Sequence, residues 1–354
     1  MTDPLSFRRG PSMRNRIALA PLTNQQSHAD GTLSDAEHRF LTMRATGGYG
    51  LTMTCAASVQ AAGRGFAGQL GVHDDIHLPG LTRLAADLNA AGTVSWVQLH
   101  HAGIRSPQDL IGTQPVGPSD DESTGARALT TDEVGQVVAD FVAAAVRAER
   151  AGFHGVELHG AHGYLLCQFL SADLNRRTDQ YGGSLENRAR LLMEVVHGAR
   201  AAVGPDTALG VRLSAERFGL VVDEVREVFG MLVDSGAVDM IDMSIWDVDK
   251  LAADEPYTER RLLDLFTELP RGDVRLAAAG KIHTPSDVER VLDAGVDIAM
   301  LGRVAILHHD WPQLATDPDW LPSRPPVPAE ALAAEGVSPP FVEYLATSFG
   351  FVER

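Results

Sequence analysis

The chain has 354 residues, a formal net charge of −17 and only two cysteines, Cys55 and Cys167. That acidity argues against nucleic acid or an anionic membrane as partner, since both require a basic face. Two cysteines without C-x-x-C spacing exclude a thiolate zinc site, an iron–sulfur cluster and a disulfide framework, and suit a reducing cytoplasm.

No run approaches the roughly 20 apolar residues of a membrane span. The apolar run 17–22 is too short for a signal peptide and contains Pro21. The expectation is a soluble cytoplasmic protein.

In chain order, residues 17–23 read as a short buried strand stopped by proline. Residues 35–46 carry helical spacing, with Ser34 placed as N-cap. A strand follows over 51–59, then a helix over 81–91 closed by Gly92, and a strand over 93–99. Residues 102–130, rich in Gly, Pro, Ser and Thr, form an excursion read as a hairpin or a lid. A long amphipathic helix spans 131–151 and ends at Gly152.

The next strand, Gly155-Val156-Glu157-Leu158, runs into His159-Gly160-Ala161-His162-Gly163-Tyr164. Helices are then expected over 185–203, 223–235, 258–269 and 285–294, alternating with strands over 208–213, 240–244, 274–278 and 297–301. A proline-rich stretch occupies 318–328. The last apolar segment, with Phe341, Tyr344, Phe349 and Phe351, is a candidate either for a subunit contact in a homo-oligomer or for packing on its own barrel.

Strands alternating with amphipathic helices mean parallel α/β. Eight such strands over this length predict a single (β/α)8 TIM barrel over about residues 13–312, with an excursion after strand three and a C-terminal tail over 313–354. No linker divides the chain into further domains.

Gly63-Arg-Gly-Phe-Ala-Gly68 matches G-x-G-x-x-G, but no helical periodicity follows it, so a dinucleotide fingerprint is rejected. Better phosphate candidates are Gly280-Lys281 after strand seven and Gly302-Arg303 after strand eight, the loops that recurrently hold phosphate in such barrels. Glycine lets backbone N–H groups approach the anion, and the cations add charge.

His159, His162 and Tyr164 cluster where a strand ends, which is where barrels place chemistry. Any one of them alone would read as a packed core residue; three in one glycine-loosened turn read as a site. The histidine pair could hold a metal only with a third ligand, and no metal is expected. Trp246, past strand six, would sit at the same rim as a substrate contact.

The run His159-Gly-Ala-His-Gly-Tyr-Leu-Leu-Cys-Gln-Phe-Leu-Ser, followed by Asn175-Arg-Arg-Thr-Asp-Gln-Tyr-Gly-Gly-Ser-Leu-Glu-Asn-Arg188, resembles the signature of the old yellow enzyme family. Asn15-Arg-Ile-Ala-Leu-Ala-Pro-Leu-Thr23, Trp96-Val-Gln-Leu-His-His-Ala-Gly103 and Val211-Arg-Leu-Ser214 extend the resemblance over nearly the whole barrel. It implies flavin mononucleotide (FMN) as cofactor, NADH or NADPH as hydride donor and a small activated alkene as substrate. Ala20, Pro21, Thr23 and Ala56 would lie along the flavin, with Thr23 at its O4/N5 edge. Gln98 would bond the pyrimidine edge and Arg212 would face N1/O2. Gly280, Lys281, Gly302 and Arg303 would hold the phosphate.

By the same resemblance, His159 and His162 would donate to the substrate's carbonyl or nitro oxygen, and Tyr164 would protonate the α-carbon. The sequence departs from the family at Ile104, which displaces Arg105 by one place in a His-x-Gly-Arg pattern, and at Cys55-Ala-Ala, which lacks an acidic residue found in some members. The competing readings are an FMN-dependent oxidase or demethylating dehydrogenase on the same barrel and, from another class, a metal-dependent hydrolase or lyase built on the histidine pair.

Overall fold

Short apolar strands joined by amphipathic helices must have both sheet faces covered, and closing the sheet on itself is one way to do so. The computed structural model, which describes residues 1–353, closes. Its eight parallel barrel strands are β1 (Ile17–Leu19), β2 (Leu51–Ser58), β3 (Val94–His100), β4 (Gly155–Gly160), β5 (Ala208–Ser214), β6 (Met240–Ser244), β7 (Arg275–Ala279) and β8 (Ile298–Leu301). The seam is sealed where Ile17, Ala18 and Leu19 pair with Ala299, Met300 and Leu301.

The main crossover helices start where the sequence supplies caps. Ser34 accepts from the Glu37 N–H at the head of α1 (Asp35–Thr46). Thr130 and Glu133 form a reciprocal capping box at the head of the helix Thr131–Arg150, and Thr284 and Asp287 do so for the helix Pro285–Asp293.

Strand alternation points every second side chain into the barrel. At the bottom, Trp96 fills the centre among Met53, Met240, Ala208 and Ile298. Gly155 and Gly210 flank it because a Cβ there would lie 2.7 Å and 2.5 Å from the indole. Phe7, whose segment is pinned by the Leu5–Met13 bridge, packs on that ring at 5.4 Å and closes the floor. Two residues further along the strands, the interior turns polar: Gln98, Glu157, Arg212 and Asp242 are all buried.

Three expectations change. Residues 258–269 are helical only over Asp264–Thr267. The preceding backbone spends its hydrogen bonds across a loop instead, with Leu251 bridged to Arg261 and Ala252 N–H donating to Arg260 at 2.9 Å.

Second, the 102–130 excursion is more than a hairpin: Asp121 and Ala126 form a tight antiparallel bridge, but Val116–Gly117 pairs in parallel with Arg127–Ala128, and none of its residues lines the large cavity. Arg177 holds it down by donating to the Pro118 and Leu129 carbonyls.

Third, of the two places left open for the tail, Phe341 and Phe351 take the one on its own barrel, while Phe349 stays 47% exposed. Phe341 is fully buried in edge contact with Phe40 at 5.6 Å. The fully buried Arg44 donates to carbonyls of Phe40, Ala305, Ile306 and Glu335, tying α1, the short helix Arg303–Leu307 after β8 and the tail together. No helix among the described residues is long and apolar enough to cross a membrane.

Candidate active site

The carboxyl ends of the strands open into a cavity of about 750 Å³. Every residue that the sequence nominated lies in its wall: Ala20, Pro21, Thr23, Ala56, Gln98, His159, His162, Tyr164, Arg212, Trp246, Gly280, Lys281, Gly302 and Arg303. A register shift between Met53 and Ala56 in the β2–β3 pairing lies just before Ala56.

The chemistry-bearing turn follows β4. His162 takes a left-handed φ of +61° and Gly163 one of +68°. Such a conformation in a non-glycine residue persists only where its surroundings over-determine it. Here they do: the His162 N–H donates to Ser214 Oγ at 2.9 Å, and its carbonyl accepts from Arg105 Nη1 at 2.6 Å.

The two rings are linked, with His162 Nδ1 3.2 Å from His159 Nε2 and His162 Nε2 2.7 Å from Ser244 Oγ. The Ala161 N–H donates to His159 Nδ1 at 3.3 Å, which leaves the His159 proton on Nε2, facing the cavity. Burial, reinforced by the neighbouring histidines and by Arg212 and Arg105, holds both imidazoles well below their ordinary range. Both are neutral at physiological pH.

Tyr164 stands beside them, its ring centroid 5.1 Å from His159 and 4.3 Å from His100. The Arg105 guanidinium lies over the Tyr164 ring at 4.7 Å. Across from it, the tail contributes Tyr344, whose phenol is pushed up by burial and by Tyr164 and drawn back by a hydrogen bond with Thr23.

Beneath the cavity, the polar layer carries two carboxylates against one guanidinium. Gln98 Nε2 donates to Glu157 Oε1 at 2.7 Å, so with this amide orientation the Gln98 carbonyl is the acceptor left for a ligand. Arg212 Nε lies 3.0 Å from Asp242 Oδ2. Burial first, and then Asp242, pushes the Glu157 carboxyl up to about 8, while burial raises Asp242 against the pull of Arg212. The layer therefore keeps a proton at neutral pH rather than leave a second, uncompensated charge buried.

The opposite end is cationic. Gly280 has no room for a side chain, because a Cβ would lie 2.8 Å from the Asp247 N and 3.0 Å from the Trp246 carbonyl carbon. Arg303 stands between the rings of Trp246 at 5.7 Å and Phe349 at 6.0 Å, with Arg324 in the same wall. Lys281 is not a free cation: its Nζ is 2.9 Å from Asp247 Oδ2. Small side chains, Ala20 and Ala56, line the space between these ends together with Met300. A cavity with a polar acceptor and guanidinium at one end, apolar walls and a cationic glycine-edged end suits a planar heteroaromatic group that ends in phosphate.

Sequence reasoning passed over Ser214, Ser244, Asp242 and Tyr344. Asp242 and Ser244 alternate with apolar residues on a buried strand, and polar residues at inward positions of such a strand were the available signal. Tyr344 carried no local signal, since its place depends on how the tail crosses the barrel. Among the described residues no three His, Cys, Asp or Glu side chains group as a metal site.

Comparison with known proteins gives the family. Residues 2–317 match the NADH:flavin oxidoreductase / NADH oxidase family, and the chain belongs to it. It is 38% identical over 320 residues to a probable NADH-dependent flavin oxidoreductase of Bacillus subtilis, covering 87% of this chain and 86% of that protein. It is 33% identical to an NADH oxidase of Thermoanaerobacter brockii over 86% of this chain and 49% of that protein, and so spans about half the relative's length.

Among solved structures, the old yellow enzyme homologue from Zymomonas mobilis matches with a TM-score of 0.81 at 29% identity, over 94% of this chain and 95% of that one. Morphinone reductase in complex with tetrahydroNAD matches with a TM-score of 0.78 at 29% identity, over 94% and 93% of the two chains. The chain is an FMN-dependent NAD(P)H oxidoreductase of the old yellow enzyme family.

Proposed function

We propose that this oxidoreductase is an ene-reductase, which saturates the double bond of a small alkene conjugated to a carbonyl or nitro group. The observation that carries this reading is the pair of neutral imidazole nitrogens, His159 Nε2 and His162 Nδ1, 3.2 Å apart in the cavity wall with Tyr164 beside them. An oxygen seated between the two nitrogens gains negative charge as the β-carbon accepts hydride, so donors fixed there act most strongly in the transition state. Tyr164 then gives its hydroxyl proton to the α-carbon, and the phenolate left behind recovers a proton from solvent.

Bound FMN supplies the two-electron hydride carrier between reduced nicotinamide and alkene. The protein's own part toward that group is to hold it. Gln98 and Arg212 bind the pyrimidine end, Ala20, Pro21, Thr23 and Ala56 form the wall along the ring, and Gly280, Lys281, Gly302 and Arg303 take the phosphate. Trp246 borders the substrate's way in.

The test is the visible spectrum of the purified protein, reduced without oxygen by NADH or NADPH and then given 2-cyclohexenone. Bleaching followed by return of the yellow colour supports the reading. In Tyr164→Phe the bleaching should persist, while the return slows by about 10²-fold or more, the usual range for a lost general acid. A flavin that bleaches but ignores the enone sinks the alkene assignment and brings the oxidase or demethylating dehydrogenase forward.

A further inference from the structure

The hydrogen-bond chain through the histidine pair poses a conflict that the proposed reaction must resolve. His159 has its proton on Nε2, because its Nδ1 accepts from the Ala161 N–H at 3.3 Å. That proton points at His162 Nδ1, 3.2 Å away. Without a ligand, the satisfied arrangement has His162 Nδ1 accepting from His159, which puts the His162 proton on Nε2, donated to Ser244 Oγ at 2.7 Å. In that state His162 offers a ligand oxygen nothing. For both rings to donate to one oxygen, the His162 proton must sit on Nδ1, and Nε2 must then find a donor of its own.

Ser244 is the group that can supply it. A hydroxyl both donates and accepts, so it can face either form of Nε2. The other partner of Ser244 Oγ among the described residues is Arg212 Nη2 at 3.4 Å, which can only donate. The Ser244 hydrogen is thus free to turn toward His162, its oxygen remaining occupied by Arg212. The main chain beneath the ring is pinned: the His162 N–H is held by Ser214 and its carbonyl by Arg105. From that fixed backbone the ring can meet a ligand by releasing the Nε2 proton to solvent and taking one up on Nδ1.

We propose that Ser244 is a positioning residue that lets His162 exchange its donor and acceptor nitrogens when an oxygen ligand enters between the two histidines. The proposal rests on the ene-reductase reading for the identity of that oxygen, and on the hydrogen-bond geometry for the rest. Both ring forms are neutral, so the exchange alters no net charge; it converts an internally satisfied pair into two parallel donors. A residue at position 244 that only accepted or only donated would support one form alone, and one that merely filled space would support neither.

The experiment follows the His162 nitrogens by long-range 15N–1H NMR on the FMN-loaded, histidine-labelled protein, with signals assigned by comparison with His162→Asn. Spectra are taken without ligand and with 4-hydroxybenzaldehyde, whose phenol oxygen is the probe. In the wild type the His162 proton should be on Nε2 without ligand and on Nδ1 with it. Ser244→Asp, whose carboxylate can only accept from Nε2, should keep the proton there in both states and bind the probe about tenfold more weakly, the loss of one donor to the probe oxygen. Ser244→Thr, which retains the hydroxyl, should restore both properties.

A His162 that keeps one form in the wild type, carries protons on both nitrogens with the probe bound, or switches equally well in Ser244→Asp would overturn the proposal. A His162 that switches in the wild type and not in Ser244→Asp, in an enzyme whose flavin ignores enones, would uphold the role of Ser244 and remove the ene-reductase reading instead.

Discussion

Replacing Glu157 by glutamine should stabilise the protein, and more so as pH rises. Glu157 lies fully buried in the barrel, bonded to Gln98 at 2.7 Å, and burial with Asp242 nearby carries its carboxyl from 4.5 to about 8. In the unfolded chain the same group ionises near its ordinary value. Below that value both states hold the proton and burial is harmless. Above it the unfolded state gives the proton up while the folded state retains it, so stability falls until the pH passes the folded value.

The whole interval corresponds to on the order of 5 kcal/mol, and the part between about pH 5.5 and about pH 8.5 to roughly 3 kcal/mol. Glutamine is neutral throughout and keeps an acceptor for the Gln98 amide. Urea unfolding of wild type and Glu157→Gln, with equal excess FMN, should already favour the variant by roughly 1 kcal/mol at the lower pH. That gap should widen by roughly 3 kcal/mol at the higher pH. Asp242→Asn should recover only the smaller part of that gain, because burial outweighs Asp242 as the cause of the Glu157 shift, and the double substitution should gain less than the sum, because both changes relieve one shared repulsion. Stability curves for wild type and Glu157→Gln that run parallel across this range would refute the argument that the layer holds a proton.

Other outcomes follow from single contacts. Gly280→Val should weaken FMN binding at least about tenfold in a fluorescence titration, since even a Cβ would lie 2.8 Å from the Asp247 N and must distort the phosphate end. Phe341→Ala should cost about 3–5 kcal/mol in urea unfolding and expose the tail to limited proteolysis, because the ring is fully buried against Phe40. His159→Ala should weaken the binding of 4-hydroxybenzaldehyde, followed by its effect on the flavin spectrum; unchanged affinity would remove the residue from the oxygen site. Gly210→Ala should destabilise the barrel by about 1–3 kcal/mol without altering FMN affinity, since its Cβ would meet Trp96 at 2.5 Å on the floor, away from the cavity.

The sequence by itself determined the barrel and most of its contents. Strand runs such as 155–158 and 240–244 are short, apolar and punctuated by capped helices, and these are local properties of the chain. The turn at His159–Tyr164 was legible for the same reason: three functional side chains fall within six residues, and Gly163 supplies a left-handed φ there. The cavity-lining residues nominated for the flavin, from Ala20 to Arg303, were legible through motifs strung along successive strands, which barrel closure then gathers in one place.

Tertiary structure alone decided which neighbours those residues meet. Ser244 faces His162 across 82 positions of sequence, and Glu157 meets Gln98 across 59, so no local pattern encodes either contact. Residues 258–269 carry helical spacing, yet Arg260, Arg261 and Leu262 bond across a loop to residues 250–252, which leaves only Asp264–Thr267 helical. The tail's apolar residues were equally consistent with a partner surface until Arg44 and Phe40 offered them a site on their own barrel. Periodicity states that a face will be buried; only the closed chain states against what, because that choice depends on shape and hydrogen-bond complementarity between distant segments.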